Sequence, residues 1–173
     1  MITIRNEQLA DSPAIETLLD TAFEPGRRGR PSYRLREGVA KRDDLCFVAE
    51  EGARLVGVVR FWPILVGGTP ALLLGPIAVH PNHEGHGTGS RLVRAGLDAA
   101  RAVGFRLVVA VGVIAYLGRF GFRPAKPLGL RFPVPVDETR FLVLEPAPGA
   151  LEGNAGDIAP AHPATRRSGR RAG

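Results

Sequence analysis

The sequence predicts an α/β (α+β) fold, a sheet with helices packed against it. Three observations carry that prediction. An apolar, β-compatible run at residues 72–79 leads into a glycine-rich loop and then an amphipathic helix that stops at Gly104. Two strand-like runs, 45–50 and 54–62, meet at Glu51-Gly52 in the pattern of a hairpin. A second β-rich run within 105–111 follows the helix, so strand, helix and strand together form a right-handed βαβ unit when the two strands lie parallel.

Each element has a local justification. Residues 2–5 alternate as a short strand, and Asp11 or Ser12 caps a helix with Pro13 in its first turn. Ala14, Ile15, Leu18, Leu19 and Ala22 form the apolar face of that helix. The stretch EPGRRGRPS is a loop, and the spacing of Leu35 and Val39 predicts a second helix over 32–41. The hairpin follows, then a turn at 66–70 that leads to the central strand. Residues 72–79 are almost continuously apolar, as in a strand covered on both faces. Gly75 and Pro76 interrupt the run and predict disturbed pairing just before Ile77, Ala78 and Val79, where freed backbone groups could bind something.

His80, Pro81 and Asn82 turn the chain, and EGHGTGS opens a helix whose apolar positions are Leu92, Val93, Gly96, Leu97, Ala100 and Val103. A helix at 114–119 is too short to stand without packing. Pro124, Pro127, Pro133 and Pro135 make the following stretch an extended loop or edge strand, and 141–144 is the final strand. From Glu145 onward Pro, Ala, Gly and Arg dominate, which predicts a domain at 1–150, a tail at 151–173 and no regular structure over 153–173.

Composition narrows the class. At 173 residues the chain is one domain plus a tail, with 45% hydrophobic residues and no stretch near the roughly 18 uninterrupted apolar residues of a membrane span. The N-terminus lacks the basic start and apolar run of a signal peptide, so a cytoplasmic location is expected. The single cysteine, Cys46, excludes an internal disulfide and a cysteine-rich metal site, and its apolar setting marks it as structural. The net charge of +6 is concentrated at Arg27, Arg28 and Arg30 and at Arg166, Arg167, Arg170 and Arg171. No interleaved aromatics or nucleic-acid module accompany those arginines, so a solvated tail is the preferred reading over nucleic-acid binding.

Glycines 85, 87 and 89 at a helix start let several backbone N–H groups converge where the helix dipole is positive. This is an anion site, most simply for phosphate or pyrophosphate, although the loop alone is equally a plain tight turn. The Walker pattern is absent because no Lys follows the glycines, and the dinucleotide pattern fails because Ser90 stands where its third glycine belongs.

The loop Glu84-Gly85-His86-Gly87-Thr88-Gly89, after the strand LGPIAVHP and before an amphipathic helix, resembles the acyl-CoA loop of the GNAT acetyltransferases. A second landmark of that family, a short helix ending in Arg-Phe-Gly-Phe, is similar to AYLGRFGFRPA at 115–125. The resemblance spans roughly residues 1 to 160 and is closest to bacterial N-acetyltransferases with a Val-Gly strand end. It implies a mixed central sheet of about six to seven strands, helices on both faces, and a parallel pair that splays to admit the acyl-pantetheine arm of acetyl-CoA.

In that family the backbone of Ile77, Ala78 and Val79 would pair with pantetheine, and Gly85, His86, Gly87, Thr88, Gly89 and Ser90 would hold the pyrophosphate. The same resemblance puts Tyr33, Arg34 and Arg36 in the region that walls the acceptor cleft, with a solvated helix face the equal alternative, and the basic 27–36 stretch points to an anionic acceptor. The activity implied is direct acetyl transfer to a primary amine of a small molecule or peptide. A homodimer is a further expectation from the family.

The chain departs from the family at informative positions. Many members protonate the leaving thiolate with a tyrosine four residues before the Gly of Gly-Phe, and here that count lands on Leu117. Tyr116 is adjacent, about 100° around a helix, and is the candidate catalytic acid against a packing role. Glu84 replaces the usual Gln or Arg and is expected to point away and cap the helix, while His86 can donate to phosphate. The central strand carries no carboxylate, so no base is assigned. A non-catalytic acyl-CoA-binding or nucleic-acid-associated module is the alternative that Leu117 and the Arg-rich tail suggest.

Overall fold

A computed structural model describes residues 1–153 and 155–162, so the arginines at 166–171 lie outside the described residues. Among the described residues nine strands and three α-helices follow one another: β1 (Ile2–Asn6), α1 (Ser12–Ala22), β2 (Phe47–Glu51), β3 (Arg54–Val66), β4 (Thr69–Val79), α2 (Thr88–Ala102), β5 (Val108–Val111), α3 (Ile114–Leu117), β6 (Arg123–Pro124), β7 (Leu130–Arg131), β8 (Phe141–Leu144) and β9 (Gly156–Pro160). The main sheet runs β1-β2-β3-β4-β5-β8-β6. Only β4 and β5 in that path are parallel, joined across α2.

The sheet has two apolar faces because alternate residues point opposite ways. On one face Leu92, Val93, Leu97 and Ala100 of α2 bury themselves against Ala49, Val59, Phe61 and Leu72. The approach is close: a Cβ on Gly96 would lie 2.2 Å from the Phe61 ring, and one on Gly57 would lie 2.8 Å from Leu92. On the other face Ile15, Leu18 and Leu19 of α1 cover Val48, Val58 and Ala78. Beyond them Leu35, Leu130 and Ala150 cover Ile64, Leu73, Val109 and Val143.

Two expectations are corrected. Residues 32–41 do not form an α-helix; a 3-10 turn at Pro31–Leu35 is followed by irregular backbone. Its bonds span three residues, with Arg36 N–H donating to Tyr33 O and Val39 N–H to Arg36 O, and Gly38 then takes a left-handed φ of 67°. Leu35 and Val39 are nevertheless both buried, so the spacing reports burial rather than helix. The second correction is β9, which falls where no regular structure is expected. The far half of β3 needs an edge partner because Ile64 and Val66 are fully buried there, and β9 supplies it through Ile64↔Pro160 and Val66↔Ile158.

Between these layers lies a buried ion pair. Arg60 on β3 donates through Nε and Nη2 to both carboxylate oxygens of Glu7, at 3.0 and 2.8 Å, with Lys41 at 3.5 Å. A guanidinium on a central strand requires such a bidentate partner, since an uncompensated charge there is costly.

Candidate active site

The site begins at an interruption in pairing. β3 and β4 are in register up to Phe61↔Leu74 and resume at Val59↔Ile77, leaving Gly75 and Pro76 as a bulge opposite Arg60. Gly75 has a φ of 136°, which glycine accommodates, and its carbonyl accepts from Trp62 Nε1 at 2.7 Å. Pairing between β4 and β5 covers Leu72 to Leu74 and stops at the same level, at Leu74↔Ala110. Past that point the two parallel strands separate, and a cleft of about 830 Å³ passes through the gap.

Backbone direction in β4 follows from one bond. His80 N–H donates to Val56 O at 2.8 Å, and peptide groups alternate sides every second residue in an antiparallel pair. Ala78 therefore turns its backbone toward β3, while Ile77 and Val79 turn theirs toward the gap. The side chain of Ala78 packs with α1 on the opposite face. Of the three candidate backbone ligands, Ile77 and Val79 line the cleft and Ala78 does not.

The other wall is the start of α2. Gly85 and Gly87 adopt left-handed φ values of 79° and 81°, and a Cβ at either would touch nothing, so glycine is needed there for backbone shape rather than space. Arg91 N–H is the first to find an intrahelical acceptor, Gly87 O at 3.0 Å. The N–H groups of Thr88, Gly89 and Ser90 precede it at the positive end of the helix, and all three residues line the cleft. Three open donors at a helix start fit a pyrophosphate.

Glu84 does not cap this helix: the N-cap is Gly87, with no side-chain bond, and Glu84 stays exposed at the cleft edge. Gly87 already makes the left-handed turn into the helix, so the chain enters without a side-chain cap. His86 is exposed and outside the lining.

Tyr116 is half-buried on α3, its ring edge-on to Phe120 at 5.6 Å and under the Arg119 guanidinium at 4.7 Å. Those contacts aim the hydroxyl at Gly89, where a Cβ would lie 2.9 Å from it. Leu117 also lines the cleft but is buried, packed so closely on Gly112 that a Cβ there would lie 2.7 Å away. Tyr116 thus supplies a hydroxyl at the junction of β4 and the loop, with Val79 as its neighbour.

On the α1 face the cleft is walled by Phe23, Tyr33 and Arg36. Arg27 ties this wall to α1, donating to Tyr33 Oη at 2.9 Å, Glu16 at 2.8 Å and Asp20 at 3.0 Å. Arg34 faces solvent beside Glu37. His80 is a turn residue, accepting from Asn82 N–H through Nδ1. Cys46 is fully buried, and burial pushes its thiol up to about 11, as suits a structural cysteine.

His83 is a lining residue that sequence reasoning missed: its Nε2 lies 2.7 Å from Glu51, while its buried Nδ1 has no hydrogen-bond partner among the described residues. That pairing, between a turn and the end of β2, leaves no local signature in the sequence.

A bulged strand splayed from a parallel neighbour, with a glycine-led helix at the mouth of the gap, defines an acyltransferase scaffold. The chain belongs to the acetyltransferase (GNAT) family, whose model matches residues 12–122. It is 35% identical over 155 residues to the uncharacterized N-acetyltransferase YhbS of Escherichia coli K12, covering 88% of this chain and 92% of that protein. A 1.55 Å crystal structure of E. coli YhbS with CoA superposes with a TM-score of 0.80 at 33% identity, covering 91% of this chain and 88% of that one. A GNAT acetyltransferase from Brucella melitensis in complex with acetyl-CoA gives 0.68 at 30% identity, covering 92% and 95%.

Proposed function

We propose that the protein transfers the acetyl group of acetyl-CoA directly to a primary amine of a small molecule or peptide. The observation that carries this reading is the β4–β5 gap, with the backbones of Ile77 and Val79 turned into it and the open donors of Thr88, Gly89 and Ser90 at one end. The relatives solved with CoA and with acetyl-CoA support the same cosubstrate.

Acetyl-CoA, when bound, supplies an activated acetyl group as a thioester. The chain's residues do the rest. The loop amides hold the pyrophosphate, and Ile77 and Val79 align the pantetheine amides as an added strand. Tyr116 Oη holds the proton that the leaving thiolate takes, in the role that the position of Leu117 cannot fill. The amine enters from the α1 face, past Tyr33 and Arg36, and loses its proton to solvent. No helix of the described residues is long and apolar enough to cross a membrane, and we assign the protein to the cytoplasm.

Isothermal titration with acetyl-CoA, desulfo-CoA and NAD, followed by an amine panel with thiol detection, tests the reading. Acetyl-CoA is expected to bind with micromolar affinity and NAD not at all. Failure of every CoA species to bind would overturn the assignment. For Tyr116→Phe, a fall in turnover of roughly 10²-fold or more with unchanged acetyl-CoA affinity is expected; unchanged turnover removes Tyr116 from the proton step.

A further inference from the structure

Three guanidiniums meet on the α1 side of the bulge, close enough for Arg27 and Arg60 each to act on Arg36. Two of them are neutralised. Arg60 has the bidentate Glu7, and Arg27 has Glu16 and Asp20. Arg36 has no carboxylate within ion-pair distance among the described residues, and its buried Nε has no hydrogen-bond partner. The two acids that line the cleft do not reach it: Asp137 accepts from Thr139, and Glu84 lies on the glycine loop.

Arg36 is nonetheless held in place. Its guanidinium carbon lies 4.4 Å from the Tyr33 ring centroid and 5.6 Å from that of Trp62. Tyr33 is itself fixed by Arg27, and Trp62 by the Gly75 carbonyl. Arg36 Nη2 stands 3.1 Å from where a Cβ on Gly75 would be, which puts the fork directly at the bulge. Burial above all, then the two neighbouring arginines, push Arg36 down to about 10 against the opposing interaction with Tyr33, which still leaves it charged at neutral pH. An oriented, partly desolvated cation with every nearby carboxylate already engaged is a site lacking its counter-ion.

We propose that Arg36 binds a carboxylate of the acceptor, so that the substrate is an amine bearing a carboxylate, of the amino-acid type, rather than a plain amine or polyamine. One guanidinium without a carboxylate partner among the described residues matches a single negative charge, and its planar fork matches a carboxylate. The inference rests on the acetyl-transfer reading and names the substrate class for that site.

The test compares free amino acids with their amides, with the decarboxylated amines and with aminoalkylphosphonates, in the wild type, Arg36→Gln and Arg36→Lys. In the wild type, kcat/KM is expected to favour the acids over their amides by at least about 10-fold, as for a lost charge-assisted bond. Arg36→Gln is expected to remove that preference mainly through KM, and Arg36→Lys to restore part of it, with acetyl-CoA affinity unchanged in both. Equal use of acids and amides by the wild type overturns the proposal. So does an equal loss of kcat on both by Arg36→Gln, which would place Arg36 on the reacting carbonyl. A preference for phosphonates over acids would make the site a phosphate site and overturn the carboxylate assignment.

A second readout needs no turnover. Trp62 is the only tryptophan and lies beside Arg36, so its emission reports occupancy. N-acetylglycine and N-acetylalanine are expected to change that emission saturably, their amides not, and Arg36→Gln to abolish the response. No response to any N-acyl acid up to about 10 mM counts against the proposal even if acetyl-CoA binds normally. Loss of acetyl-CoA binding instead strikes the transferase reading itself.

Discussion

The Tyr116 hydroxyl rests against Gly89, so close that a methyl group on that glycine would lie 2.9 Å from it. The contact joins the candidate proton donor on α3 to the first turn of α2, and therefore to the backbone donors at the head of the cleft. Gly89→Ala must displace the end of a flexible side chain rather than backbone, so folding stability is expected to change by less than about 1 kcal/mol. Turnover is expected to fall because the hydroxyl moves. In a Tyr116→Phe background the same substitution should cost little more, and a double-mutant cycle on kcat measures that coupling. Additive losses would show that the two residues act separately.

A glycine in the core behaves differently. Gly96 of α2 lies against Phe61, and a methyl there would stand 2.2 Å from a ring atom that is itself fully buried. Gly96→Ala is expected to destabilise the fold by about 1–3 kcal/mol in urea, and Phe61→Leu in the same chain to recover part of the loss.

The Glu7–Arg60 pair gives a test of buried charge. Glu7→Gln leaves Arg60 uncompensated on a central strand and is expected to cost about 3–5 kcal/mol in urea unfolding. Pairing it with Arg60→Met should return most of that, because the cost arises from the orphaned charge rather than from the lost attraction.

Cys46 makes stability depend on pH at the alkaline end. Its thiol is raised to about 11 by burial, above the unfolded value of 9.0, so the folded state holds the proton more tightly. The contribution is fully present below pH 9, and stability falls as pH rises from about 9 to about 11, by up to roughly 1.4 kcal/mol per pH unit. Cys46→Ala should flatten that part of the profile. The native thiol is expected to resist iodoacetamide at pH 8 and to react once the chain is unfolded.

Elements whose burial is written in their own residues were legible in the sequence. The run of β4, the stripe of α2 and the four residues of β8 are apolar where the fold buries them, and Gly75-Pro76 marked the bulge before any pairing was known. β9 was not legible, because GDIAP has one fully buried apolar residue, Ile158, and becomes a strand through what β3 offers it. The glycine loop could be read from its spacing, whereas the count from Gly121 lands on Leu117 and only adjacency brings in Tyr116. The isolation of Arg36 could not, since it is defined by carboxylates from distant segments that serve Arg27 and Arg60 instead.

The position of β9 bears on how the chain is made. Ile64 and Val66 leave the ribosome early, yet the strand that covers their edge is among the last described segments to emerge. Until then a nascent sheet carries an unpaired apolar border, the kind of surface that invites pairing with a neighbouring chain. Native pairing here also waits on a contact of long sequence separation, which slows folding. The vulnerable interval for aggregation therefore lasts until Gly156–Pro160 have emerged, after the cleft-forming segments.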